Sequence, residues 1–384
     1  MARKNAVNNP FFRTFFNYKV LSFFLLLISV PSILILNSLW QHHPRPNEDA
    51  HTPERASPLH PDYTSPYGLA TYGTDMLTHS GLITSFRLLG VFWWRWQWDW
   101  RQIEVSPRQY DWSTPDSIVA LANANHIHLD FAIQNAPRWH LTQSCNGQAI
   151  LPRAVDMAQF ATLLATRYNG QNGHGYIDSY EIGNEEFDNY WNIDQAHSAP
   201  CRAASYYGPV LKAGYQAIKA ASPQAMVGMF GLWWEDTAHI HNYLQWLYRN
   251  GYGQDFDYAN FHYYICNRDP SVISGSQPSF DSEWQTIHTV MSQNGDGNKP
   301  IWVTEVGWTI SSINQEGTCS VTPQTQADYL NYVLTEAKNS HVVAKVFWYT
   351  LRSDTDGMNI LPPSGPLPAY TALQTFINQY PQWE

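Results

Sequence analysis

The chain has 384 residues, of which 15% are aromatic and only 14% charged, a balance too apolar for an intrinsically disordered protein. Its formal net charge of −10 gives a nucleic-acid partner no electrostatic support. The 17 Trp and 23 Tyr suit either a large core or a neutral polyhydroxylated ligand whose C–H faces pack on aromatic rings, so a carbohydrate is the partner the composition favours.

Residues 1–19 are basic, with Arg3, Lys4, Arg13 and Lys19, and precede the uncharged run "VLSFFLLLISVPSILILNSLW" of residues 20–40. That length spans a bilayer, and the positive flank places the N-terminus in the cytoplasm. We read it as a transmembrane anchor; a cleaved signal segment is the alternative, although no small-x-small site precedes "QHHPRP". On either reading the remainder is exported, membrane-anchored on the extracellular side or secreted. Residues 41–66 are Pro-rich and polar, a tether to the domain of residues 67–384. Four cysteines, Cys145, Cys201, Cys266 and Cys319, follow in the exported part and allow three disulfide pairings. No Cys-x-x-Cys or His cluster accompanies them, so a metal site has no support.

Within the domain, β-type runs alternate with helical patterns. A weak first strand at "YGLATYG" is followed by "GVFWWRW", "HIHLDFAIQ", "YIDSYEIGN", "AMVGMFG", "DYANFHYY", "PIWVTEVGW" and "VVAKVFWYT". Stretches such as "AVDMAQFATLLATRY" and "TQADYLNYVLTEAKN" separate them, which implies parallel βα units. No glycine-rich phosphate loop follows the first strand, so an α/β fold of the (β/α)8 TIM-barrel type is expected rather than a doubly wound sheet. Its active site then lies at the C-terminal strand ends, where "RWQWDW", "EIGNEE", "FHYY", "WVTEVGW" and "FWYT" converge. The cysteines fall in loops on that same face, and Cys145–Cys201 and Cys266–Cys319 are the pairings that staple neighbouring loops.

Glu185 and Glu305 end the fourth and seventh strands. Strand-end carboxylates are costly to bury unless paired or hydrogen-bonded, and two across a barrel mouth can divide the labour of glycosidic bond cleavage. Taken singly, each could equally be an ordinary ion-pair carboxylate. The ordered motifs "WWRWQWDWRQIEVSPRQYDW", "YEIGNEE" and "IWVTEVGW" resemble those of clan A glycoside hydrolases, families 5 and 39 above all, over the whole chain after Tyr67. The resemblance implies a retaining β-glycosidase with Glu185 as acid/base and Glu305 as nucleophile, their carboxyl groups about 5 Å apart. It further implies that Asn184 binds the sugar 2-hydroxyl, that Arg95 helps keep the nucleophile ionised, and that His262 or Tyr264 hydrogen-bonds it. Trp348 would form the floor of the sugar site. No organic cofactor or catalytic metal is implied.

The pattern departs from Asn-Glu-Pro at Asn184-Glu185-Glu186, and strand alternation points Glu186 away. Glu181 and Asp257 read as structural; Glu235 and Asp236 have no assigned role; Asp354 and Asp356 read as a turn. Among the tryptophans, the parity of Arg95 places Trp93 inside the barrel and Trp94 and Trp96 toward the helices. Trp98 and Trp100, taken to lie past the strand end, join Trp233, Trp234 and Trp308 as candidates for stacking on sugars. A non-catalytic carbohydrate-binding barrel and a structural envelope protein are the competing readings, and the choice among xyloside, glucan and exopolysaccharide stays open.

Overall fold

The computed structural model describes residues 64–79, 81–143, 149–185, 203–233, 236–275, 277–310, 319–352 and 357–383. All of them belong to one compact unit, Ala56–Glu384. The expected anchor, most of the tether, Cys145, Cys201, Glu186, Trp234, Glu235, Asp354 and Asp356 lie outside the described residues. Among the described residues no helix is long and apolar enough to cross a membrane.

Among the described residues, eight parallel strands alternate with eight helices of at least eight residues. The strands are β1 (Tyr67–Tyr72), β2 (Trp93–Asp99), β3 (His128–Gln134), β4 (Ser179–Ile182), β5 (Met226–Gly228), β6 (Ala259–Tyr263), β7 (Ile301–Val306) and β8 (Val343–Tyr349). After them in turn come α1 (Leu82–Leu89), α2 (Ser113–Ala124), α3 (Ala154–Arg167), α4 (Ala203–Ala221), α5 (Thr237–Arg249), α6 (Phe280–Gln293), α7 (Pro323–Ser340) and α8 (Pro368–Gln379). The sheet order is β6-β7-β8-β1-β2-β3-β4-β5, and parallel bridges Gly228↔Tyr258 and Leu232↔Phe261 join its two edges. The eight-strand TIM-type barrel read from the alternation is thus observed. Local chemistry sets the helix ends. Asp236 caps α5 by accepting from the His239 amide at 2.8 Å, and Thr322 does the same for α7 from Thr325 ahead of Pro323. Gly90, at φ 79°, ends α1 in the left-handed region that a side chain disfavours.

Side chains alternate across each strand. Leu69, Trp94, Trp96, Phe131, Tyr180 and Val303 face outward into one continuous core under the helices. Ala70, Trp93, Tyr258, Trp302 and Phe347 face inward and fill the floor of the barrel. Gly68 is dictated by this filling, because a Cβ there would stand 2.2 Å from the Phe347 ring. The expected split of Trp93, Trp94 and Trp96 is found, but β2 continues to Asp99, so Trp98 keeps the outward parity. It stacks on Trp96 at 5.7 Å and packs against the outer core rather than entering the mouth. Trp100 is also buried, stacked 4.3 Å from Phe160 and 4.9 Å from His140.

Lys345 is an unusual inward residue of β8 near the floor. Its Nζ donates to the Ser65 carbonyl at 2.8 Å and lies 4.3 Å from the Trp93 ring centroid and 5.3 Å from that of Trp302. Burial pushes the amine down from 10.5 to about 7, although Asp178 and Asp130 pull the other way. Between about 7 and 10.5 the unfolded chain binds a proton that the folded chain has released, so this group's contribution rises with pH across that window. Lys345→Met should therefore raise the melting temperature more at pH 6 than at pH 10, as read by scanning calorimetry; an equal effect at both would contradict this account.

Candidate active site

The site is assembled around Arg95, which is fully buried and stands one inward step above Trp93 on β2. Its Nε and Nη2 donate to Glu181 Oε2 at 3.0 and 2.6 Å. Nη1 donates to Glu305 Oε1 at 2.6 Å, and Nη2 also reaches Asn184 Oδ1 at 2.5 Å. One guanidinium thus ties the ends of β4 and β7 to β2, using the planar fork that suits carboxylate pairing.

Glu305 reaches the interior because β7 is irregular. Trp302 points inward, and strict alternation would send Thr304 and Val306 in and Glu305 out. The register against β6 slips between Phe261 and His262, and that against β8 slips between Val303 and Val306. Val303 and Val306 both end in the outer core, so the bulge between them turns Glu305 to the mouth. There Oε1 accepts from Arg95 and from Gln97 Nε2, and Oε2 accepts from the Tyr264 hydroxyl at 2.6 Å. Burial alone would raise the Glu305 carboxyl. His262 and Arg95, with hydrogen bonds from Tyr264 and Arg95, outweigh it and hold the group below its ordinary value. Tyr264 moves the opposite way: burial and the adjacent Glu305 push its phenol well above the usual range, keeping it a donor.

Glu185 arrives by a different device. The chain leaves β4 through Gly183 at φ 101° and Glu185 itself at φ 45°, a left-handed backbone uncommon for a residue with a side chain. The turn brings Glu185 Oε1 to 2.5 Å from Nδ1 of the buried His262, which lies 3.8 Å from Glu305 Oε2. Burial lowers the His262 imidazole, but Glu305 and Glu185 more than offset it and raise it overall. One ligand atom each from Glu185, His262 and Glu305 lie within 4.8 Å of one another. The Glu185 side chain is 28% exposed while that of Glu305 is 7% exposed. One carboxylate is therefore fixed by its donors in a dry cradle, and the other is more exposed and bonded to the imidazole of His262.

Of the residues singled out in the sequence, Asn184, Glu185, Arg95, His262, Tyr264 and Glu305 come together. Trp308 and Trp348 do not. On β8, Lys345, Phe347 and Tyr349 face inward, which turns Trp348 outward into the helix-side core, 5.9 Å from Trp308. Trp308 is itself buried, 5.2 Å from Tyr329, with its carbonyl accepting from Gln326. Neither can stack on a sugar. The inward aromatic at the end of β8 is Tyr349, its ring 6.4 Å from Tyr264. Gln97 and Tyr349 were missed; counting by twos from Arg95 and from Phe347 would have found both. Asp257 is structural as expected, bound by Tyr215, Lys219 and the Val227 amide, and Trp233 is half-buried beyond β5. A disulfide joins Cys266 to Cys319, linking the loops that follow Tyr264 and Glu305.

The family model described as "Glycosyl hydrolase catalytic core" matches residues 168–365, which is more than half of the chain and includes Glu185, His262, Tyr264 and Glu305. The chain belongs to this glycosyl hydrolase family. Solved structures repeat the fold. A family 39 glycoside hydrolase from the gut symbiont Bacteroides cellulosilyticus WH2 is 18% identical with a TM-score of 0.63, over 81% of this chain and 63% of that one. The chain thus spans less than two thirds of the length of that relative. Xylanase 10B from Thermotoga maritima is 13% identical with a TM-score of 0.57, over 82% and 95% of the two chains. Endoglucanase Cel5A from Pseudomonas stutzeri is 14% identical with a TM-score of 0.55, over 81% and 93%. No curated protein matches the hydrolase in sequence.

Removing Arg95 leaves two buried carboxylates without their cation. Arg95→Met should destabilise the hydrolase by about 3–5 kcal/mol at pH 7 and by less near pH 4, where protonation relieves both groups. Urea unfolding at the two pH values checks this, and a loss independent of pH would contradict it.

Proposed function

We propose that the protein is a retaining β-glycosidase acting by double displacement on a β-linked oligo- or polysaccharide. The observation that carries this reading is that one carboxylate oxygen of Glu185 lies within 4.8 Å of one of Glu305. Retaining enzymes hold their carboxyl groups about 5–5.5 Å apart, whereas inverting ones need about 6.5–9.5 Å to admit a water between them. Glu305, ionised and held by Arg95, Gln97 and Tyr264, attacks the anomeric carbon. Glu185 gives its proton to the leaving oxygen as that bond breaks. Water then enters, Glu185 takes its proton back, and the glycosyl–Glu305 bond is cleaved. His262 lies between the two carboxylates and holds Glu185 in position by their hydrogen bond, while the proton taken from water restores the acid form of Glu185. Asn184, fixed by Arg95, presents its remaining amide donors to the sugar, and Tyr349 offers it a ring face.

Xylosides, glucans and an exopolysaccharide are the substrate classes proposed, in line with the xylanase and endoglucanase among the similar folds. The uncharged run of residues 20–40 and the Pro-rich stretch after it support an enzyme tethered at the membrane with its barrel on the extracellular side. The test is hydrolysis of a panel of β-linked polysaccharides and aryl β-glycosides by the protein and two variants. Glu305→Gln should lose activity on the order of 10⁴-fold or more. Glu185→Ala should lose hydrolysis but regain turnover of an activated aryl glycoside when azide is added, since azide needs no general base. Full activity in either variant would refute the assignment.

A further inference from the structure

Glu185 is held through His262, and the seat of that imidazole is a residue without a side chain. On β5 and just past it, Val227, Met229 and Leu232 turn into the outer core, while Gly228 and Gly231 lie on the barrel side. Two rings from the neighbouring β6 segment lean across onto these glycines. A Cβ on Gly228 would stand 2.4 Å from the Tyr258 ring, and one on Gly231 would stand 2.1 Å from Nε2 and 2.2 Å from Cδ2 of His262. The imidazole thus rests directly on the Gly231 backbone, in space that any side chain at 231 would take.

The backbone on both sides of this contact is pinned. The Leu232 amide donates to the Asn260 carbonyl at 2.9 Å, and the His262 amide donates to the Leu232 carbonyl at 2.9 Å. These bonds belong to the bridge Leu232↔Phe261 that closes the barrel, so Gly231 cannot retreat from the ring. The ring itself is loosely specified by hydrogen bonding. It is fully buried, its Nε2 has no partner among the described residues, and its Nδ1 meets Glu185 Oε1 at 2.5 Å. Its orientation is therefore set by the floor beneath it and by close packing. The two carboxylates differ in how far they depend on it. Glu305 is held by Arg95, Gln97 and Tyr264, whereas the Glu185 carboxyl has the His262 bond alone among the described residues.

We propose that Gly231 is a positioning residue for the acid/base: the bare backbone there seats the His262 ring so that Nδ1 meets Glu185, and it does so without acting on Glu305. The proposal rests on Glu185 being the acid/base of the reaction described above. The φ of Gly231 lies outside the left-handed region, so the obstacle to alanine is the imidazole and not a positive φ. A methyl group at 231 displaces the ring, the ring carries Nδ1 away from Glu185, and the acid/base loses its placement while the nucleophile keeps its donors.

The test is a comparison of leaving groups on a β-glycoside that the wild type cleaves. Gly231→Ala should lower kcat/KM about 10²-fold when the leaving group is an alkyl alcohol or a sugar, which departs only with a proton from a well-placed acid. With 2,4-dinitrophenolate, which departs unprotonated, kcat/KM should change by less than about threefold. A merely structural defect lowers both alike, so an equal loss on the two substrates, or no loss on either, would overturn the proposal. Calorimetry reads the contact without turnover. Gly231→Ala should lower the melting temperature of the wild type but have little effect in a His262→Ala background, where the methyl group has room; an equal drop in both would overturn the proposal. If Gly231→Ala does not fold, the double variant with His262→Ala should fold and match His262→Ala in kcat/KM on both substrates, and a further loss would count against the proposal. Failure of the wild type to cleave any glycoside refutes the function, and the melting comparison still decides the contact.

Discussion

The guanidinium of Arg95 is the constraint on which the rest of the site depends. A buried cation must be matched by anions, and the carboxylates bonded to it are on β4 and β7, on either side of β5 and β6 in the barrel order. Satisfying Arg95 therefore draws Glu305 and Glu181 to fixed points, and Asn184 with them. Once Glu305 is fixed, Gln97 and Tyr264 complete its oxygens, and His262 follows Tyr264 by strand parity. The electrostatics and the geometry of the mouth are one problem with one solution.

The backbone makes two local departures to serve that solution. A bulge in β7 rotates Glu305 inward against the parity of Trp302, and a left-handed Glu185 after Gly183 carries the second carboxyl across to His262. Neither departure has an evident packing benefit. Both sit at strand ends, where few ladder bonds are lost, and where a barrel places its variable chemistry without disturbing the layers of Trp93, Trp302 and Phe347 below.

Much of this was legible in the sequence. The alternation of apolar strands with helical repeats specified the barrel because each strand buries both faces and each helix buries one. The strand-end motifs identified Glu185, Glu305, Arg95, Asn184, His262 and Tyr264. What failed was parity at the ends. Trp98 was taken for a loop residue because tryptophans crowd "RWQWDW" without a turn signal to mark where the strand stops. Trp348 came from the resemblance alone, and one step along a strand reverses the face, so the inward ring is Tyr349. Trp308 sits just past the bulge, where counting from Trp302 no longer holds.

The account makes the separation of Glu185 and Glu305 decide the stereochemistry of the reaction. The most direct measurement is proton NMR of the first sugar released from a cleaved β-glycoside, recorded before mutarotation. The account predicts the β-anomer, the configuration of the substrate. An initial α-anomer would mean that water attacks directly across a wider gap, and would contradict the assignment of Glu305 as a nucleophile.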